Sequence, residues 1–173
     1  MRLLNLKLFL LFIYLLFPSN TGADQKLDIK NLKIHKDPKK LVDIVFKNSE
    51  DLAISLEDFK DKLVIINLWA TWCTPCLEEM PHFETAHREH SEKITFIGIN
   101  ISDSPTRAKK RAEELQISYL LGNDPDGSFT KSLKVIGLPV TAFFNTEGKL
   151  STIHQGPISK ENLQKSIMEL LDV

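Results

Sequence analysis

A chain of 173 residues with net charge −1, 42% hydrophobic and 26% charged, has the make-up of one soluble globular domain rather than a fibrous or disordered chain. The near-neutral balance gives no electrostatic case for nucleic acid, and no strand-binding module is visible. Two cysteines are too few for a disulfide scaffold, and a core of this size needs none.

The N-terminus reads as an address. Arg2 and Lys7 precede the unbroken apolar run Leu8 to Phe17, which Pro18 and Ser19-Asn20 end, and Thr21-Gly22-Ala23 has the small residues of a cleavage site before Asp24. Those ten apolar residues would span ~15 Å as a helix, about half the ~30 Å of a hydrocarbon core. Residues 1–23 are therefore expected to be a signal peptide or an N-terminal anchor. Either places the rest of the chain outside the cytoplasm, in the periplasm or on the outer face of the membrane. No cysteine lies near the end of the run, so a bacterial lipoprotein anchor is excluded. Residues 24–40, polar and lysine-rich up to Asp37-Pro38-Lys39-Lys40, read as a tether, and residues 41–173 as the folded domain.

Within that domain, Leu41–Phe46 and Leu52–Ser55 read as short strands around a turn at Lys47–Asp51, with Ser55 capping a brief helical turn through Phe59. Leu63–Trp69 is apolar on both faces, as a central strand covered on both sides would be. A helix is predicted from Thr74 to His90, with Pro75 tolerated in its first turn and Pro81 expected to kink it. Ile94–Asn100 is a second two-faced strand, and Ser104-Pro105 opens a helix to about Gln116. Gly122–Gly127 reads as a plain loop and Ser128–Lys134 as a short helix. Val140–Phe144 and Leu150–His154 form a hairpin around Asn145–Gly148, and Ser159 begins a last amphipathic helix to about Leu171. This order calls for an α/β fold with a central mixed sheet and helices on both faces.

The chemistry lies in Trp72-Cys73-Thr74-Pro75-Cys76, directly after the first two-faced strand. A zinc site needs two more ligands and no other cysteine exists; His35, His82, His87, His90 and His154 are scattered, and His87 and His90 read as ordinary exposed histidines on a polar helix. As a structural staple the pair would close a very short loop, with little entropic gain. Leu77 stands where covalent haem attachment would require histidine. Thiol–disulfide exchange is left. Cys73, at the helix N-terminus, would be the nucleophile, because unpaired backbone donors and the helix dipole stabilise a thiolate there. Cys76, one turn in, would resolve the mixed disulfide, and Trp72 would cover one side of the pair. No metal or organic cofactor is expected. Lys109-Lys110-Arg111 reads as a solvated helix face.

Asn67 to Cys76, followed much later by Gly137-Leu138-Pro139-Val140-Thr141-Ala142-Phe143-Phe144, resembles a thioredoxin-fold protein. Glu78-Glu79-Met80-Pro81, Gly148-Lys149 and Gly156 are similar to the TlpA/ResA/CcmG-like branch of extracytoplasmic thiol–disulfide oxidoreductases. The resemblance covers about residues 42 to 171. It implies that Pro139 is a cis-proline packed against the cysteines and that Leu138 offers its backbone to a substrate strand, with Trp72 part of the same platform. It implies that Glu79 carries a proton near the sulfurs, whereas Asn67 stands where thioredoxin itself has a buried aspartate. Thr74 and Pro75 tune the couple: a strongly oxidising relative of the DsbA type has a histidine between its cysteines, so threonine there implies a more reducing pair.

The expected protein is thus a monomeric thiol–disulfide oxidoreductase. By resemblance it reduces disulfide-bearing proteins, apocytochromes c among them, and is recharged by a membrane thiol-transfer protein. A disulfide-forming oxidase or isomerase of the same fold is the alternative, and a non-catalytic metal or copper carrier a more distant one. A peroxidase of the peroxiredoxin type is disfavoured, because the run before the cysteines has no proline to build its pocket.

Overall fold

The computed structural model describes residues 45–48 and 52–172. The expected leader, the tether, Leu41–Ile44 and residues 49–51 lie outside them. In chain order come β1 (Val45–Asn48), β2 (Ala53–Ser55), a 3-10 turn (Leu56–Phe59), β3 (Leu63–Trp69) and α1 (Thr74–His90). They are followed by β4 (Ile94–Asn100), α2 (Pro105–Glu114), β5 (Leu120–Asn123), α3 (Ser128–Ser132), β6 (Val140–Phe144), β7 (Leu150–Gln155) and α4 (Lys160–Leu171). Lys47 and Asn48 extend the first strand instead of turning.

These strands form one mixed sheet in the order β2-β1-β5-β4-β3-β6-β7. β3, β4 and β5 run parallel to one another, and the other neighbours pair antiparallel. Successive side chains on a strand point to opposite faces, so two-faced apolar strands build two cores. On one face Ile65, Trp69, Phe96 and Phe143 pack with Met80 and Phe83 of α1, Ala108 and Ala112 of α2, and Leu163 and Ile167 of α4. On the other, Val64, Ile66, Leu68, Ile97 and Ile99 pack with Leu56 and with Phe129 of α3. The sheet therefore carries helices on both sides.

Local chemistry sets the helix starts. Ser104 accepts from Arg107 N at 3.3 Å, and Ser159 accepts from Asn162 N at 3.2 Å. Ser55 and Asp58 form a capping box around the 3-10 turn. α1 runs as a single helix across Pro81, whose carbonyl accepts from Thr85 Oγ1 at 3.0 Å.

A second expectation is corrected. Gly122 and Asn123 are not loop: they end β5, where Gly122 pairs with Asn48 on one side and Ile99 on the other. A four-residue strand is too short to show alternation, and its glycine imitates a turn signal. The reason for that glycine is packing: a Cβ at 122 would come within 2.4 Å of the Phe46 ring. Asp124, just beyond, is buried, and its carboxylate accepts from the Phe129 and Thr130 backbone N–H groups at the start of α3.

Candidate active site

β3 delivers the chain through Ala70-Thr71-Trp72 to Cys73, which is the N-cap residue of α1. Cys73 N–H donates to Ala70 O at 3.1 Å, and Cys76 N–H donates to Cys73 Sγ at 3.3 Å. A donor of the first helical turn is thus aimed at the first sulfur, as a developing thiolate requires. Pro75 falls where its missing N–H costs nothing. The two cysteines are joined as a disulfide with Cα atoms 5.3 Å apart. Cys73 keeps 5% of its surface exposed and Cys76 none, so a partner sulfur reaches Cys73 first. Thr74 and Pro75 are both exposed.

Glu78 and Glu79 part company. Glu78 is exposed, whereas Glu79 is 2% exposed and faces inward. Its Oε2 accepts from the Ile158 backbone N–H at 2.9 Å, and its Oε1 is buried without a partner. Burial penalises the charged carboxylate and, against the opposing Ile158 hydrogen bond, raises its pKa from 4.5 to about 7. A carboxyl with that proton affinity, one helical turn from Cys76, can take up or release a proton at neutral pH.

The Leu138–Pro139 peptide bond is cis. Pro139 is buried, and its carbonyl accepts from Gly156 N–H at 2.9 Å. Leu138 is half-buried against the apolar cluster that contains Cys73 and Cys76. Trp72 is 63% exposed, so its indole faces solvent beside the pair instead of sealing it. Ile136, which sequence reasoning passed over, is 96% exposed two residues before Leu138.

Asp103 was also missed. Its carboxylate accepts from Thr71 N–H at 2.6 Å, from Thr71 Oγ1 at 2.8 Å and from Asn100 Nδ2 at 3.2 Å, with Arg107 at 3.7 Å. Burial alone would raise this carboxyl, but the Thr71 and Asn100 hydrogen bonds and the Arg107 charge together hold it below the usual 3.8. It ties the loop before Cys73 to the end of β4. The only signal for it was an acid after a buried strand, beside a helix cap.

His87 is not the exposed histidine expected. It is half-buried, with ring-edge contacts to Phe96 at 5.8 Å and Tyr119 at 6.2 Å. Among the described residues, no group of His, Cys, Asp and Glu could hold a metal ion.

A mixed sheet whose central strand runs into a helix capped by one cysteine of a CxxC disulfide defines a thiol–disulfide oxidoreductase of thioredoxin-like fold. More narrowly, the chain belongs to the Redoxin family, whose model matches residues 36–170. It is 28% identical over 133 residues to the thiol-disulfide oxidoreductase ResA of Bacillus cereus, covering 76% of this chain and 77% of that protein. It is 28% identical over 116 residues to the thioredoxin-like protein YneN of Bacillus subtilis, covering 65% of this chain and 68% of that one. Among solved structures, a secreted Mycobacterium tuberculosis disulfide oxidoreductase homologous to E. coli DsbE superposes with a TM-score of 0.69 at 18% identity, covering 78% of this chain and 100% of that one. A secreted thiol-disulfide isomerase from Corynebacterium glutamicum gives 0.70 at 24% identity, covering 77% and 86%.

Proposed function

We propose that this oxidoreductase works outside the cytoplasm as a reductase of disulfides in partner proteins. The Cys73 thiolate attacks a substrate disulfide, its S–S bond breaks, and one substrate sulfur leaves as a thiolate while the other is held by Cys73. Cys76 then gives its proton to Glu79 and attacks Cys73 Sγ, releasing the second substrate thiolate. The substrate ends as a dithiol and Cys73–Cys76 as a disulfide, so two electrons have moved to the substrate. A membrane thiol-transfer protein restores the dithiol, and apocytochromes c are among the substrates. Residues 1–23 export or anchor the domain, residues 24–40 tether it, and the domain acts as a monomer.

The observation that carries this reading is the pairing of an accessible Cys73 with a buried Cys76 one turn from a carboxyl titrating near 7. Trp72, Leu138 and the neighbouring Pro139 supply the platform for a substrate strand. The absence of a histidine between the cysteines supports the reducing direction.

The test is the reduction potential of the Cys73–Cys76 couple, measured in glutathione or dithiothreitol buffers. A value near or below about −270 mV supports a reductant; one well above about −200 mV makes the protein an oxidase or isomerase. In a trapping experiment, Cys76→Ser should accumulate mixed disulfides through Cys73 with exported proteins, and Cys73→Ser should not.

A further inference from the structure

The face of the sheet beneath α1 turns polar at its centre. Asn67 on β3 lies opposite Gly98 on β4 and Thr141 on β6. Asn67 and Thr141 are 1% and 0% exposed. Gly98 makes room between the strands: a Cβ there would come within 2.9 Å of the Tyr119 ring and 3.2 Å of Asn67 Oδ1. Tyr119 fills that room and donates its hydroxyl to Asn67 Oδ1 at 3.3 Å. With its oxygen engaged, the Asn67 amide has its NH2 left to donate elsewhere.

The buried atoms without a protein partner on this side of the sheet include Asn67 Nδ2, Thr141 Oγ1 and Glu79 Oε1, together with Trp69 Nε1 and His87 Nδ1. Glu79 Oε2 is held by the Ile158 N–H at 2.9 Å, in the segment that follows β7, and β7 pairs with β6 at His154 opposite Thr141. Burial first, then Glu84 and Glu79, push the Tyr119 phenol well above 10. Leaving such atoms bare costs about 1–3 kcal/mol each. An amide donor, a hydroxyl and a carboxylate oxygen are the complementary partners that a buried water needs.

We propose that Asn67, Tyr119 and Thr141 form a neutral polar floor that holds a buried water against Glu79 Oε1, making Asn67 and Thr141 positioning residues for the proton exchanged between Cys76 and Glu79. This rests on the proton-carrier reading of Glu79. The alternating positions of β3, β4 and β6 on this face carry no ionisable side chain. Other titratable groups on the surrounding elements are His82, Glu84 and His87 of α1, the last in ring-edge contact with Tyr119 at 6.2 Å, His154 of β7, whose Nε2 lies 3.1 Å from Pro157 O, and Glu161 of α4. A water donating to Oε1 stabilises the ionised carboxylate and so opposes the effect of burial.

The experiment is a carboxyl 13C NMR titration of Glu79 in the oxidised full chain, its signal assigned by loss in Glu79→Gln. Thr141→Val and Asn67→Leu should each move the Glu79 midpoint upward by about one pH unit, a tenfold change in proton affinity. Tyr119→Phe keeps the ring over Gly98 and should move it the same way by less. A midpoint that stays put, or falls, in folded Thr141→Val and Tyr119→Phe overturns the proposal, whether or not Asn67→Leu folds. The midpoint and the exchange rate separate the two readings. If the midpoint moves while Glu79→Gln exchanges thiols with the wild-type pH profile, the floor stands and the proton-carrier role of Glu79 falls.

Discussion

Glu79 is bound up with both the chemistry and the stability of this molecule. Glu79→Gln should slow resolution of the mixed disulfide and flatten the rate profile between pH 5 and 9, checked by stopped-flow exchange with a model disulfide. Its effect on stability has a definite sign. The folded pKa of about 7 lies above the usual 4.5, so the unfolded chain releases this proton first as pH rises. Stability present below about pH 4.5 is then lost up to about pH 7, by about 3 kcal/mol in the oxidised protein. Urea titrations of Glu79→Gln should show that fall removed. Asp103 behaves oppositely. Its depressed pKa contributes stability at neutral pH that is lost as pH falls below 3.8. Asp103→Asn should cost about 1–3 kcal/mol at pH 7, with the deficit narrowing in acid. Helix phase separates Glu79 from Glu78, but only the packing of α1 on the sheet decides which of the two is desolvated.

At the scale of elements, the stretch from β3 into α1 was the most legible part of the chain. A two-faced apolar run, a cysteine at the cap and a proline in the first turn each have a local cause, and all point to the same strand-to-helix turn. β5 was illegible for the opposite reason. Its four residues hold a glycine because of Phe46, a residue 76 positions earlier in the chain. Gly122→Ala should therefore destabilise the fold by about 1–3 kcal/mol through forced displacement of the Phe46 ring. Loss of hydrogen-exchange protection concentrated in β1 and β5 would check the cause, and a neutral effect would refute it.

Across the whole molecule, the two faces of the sheet divide the labour. Helices α1 and α4 cover the face that carries Cys76, Glu79 and the polar floor, while α3 and the 3-10 turn close an apolar face with none of these groups. The disulfide closes only a short loop, so its constraint on the unfolded chain is worth about 2 kcal/mol or less. The double variant Cys73→Ser, Cys76→Ser should keep the native circular dichroism spectrum and lose no more than that in a denaturant titration. A collapse of the fold would make the pair a structural staple and undercut its redox role.

What the amino-acid sequence determined by itself is local or periodic: the two-faced central strands, the serine caps, the hairpin, and a cysteine pair spaced to open and close. Each follows from neighbours a few residues apart, and resemblance added the cis-proline and the glutamate. Tertiary structure alone decided the rest. It buried Glu79 and left Glu78 exposed, joined Asp103 to Thr71, set Trp72 and Ile136 out into solvent, and brought Asn67, Tyr119 and Thr141 to one face of the sheet. Burial and hydrogen-bond partners arise where distant segments meet, and no local pattern in the chain records that meeting.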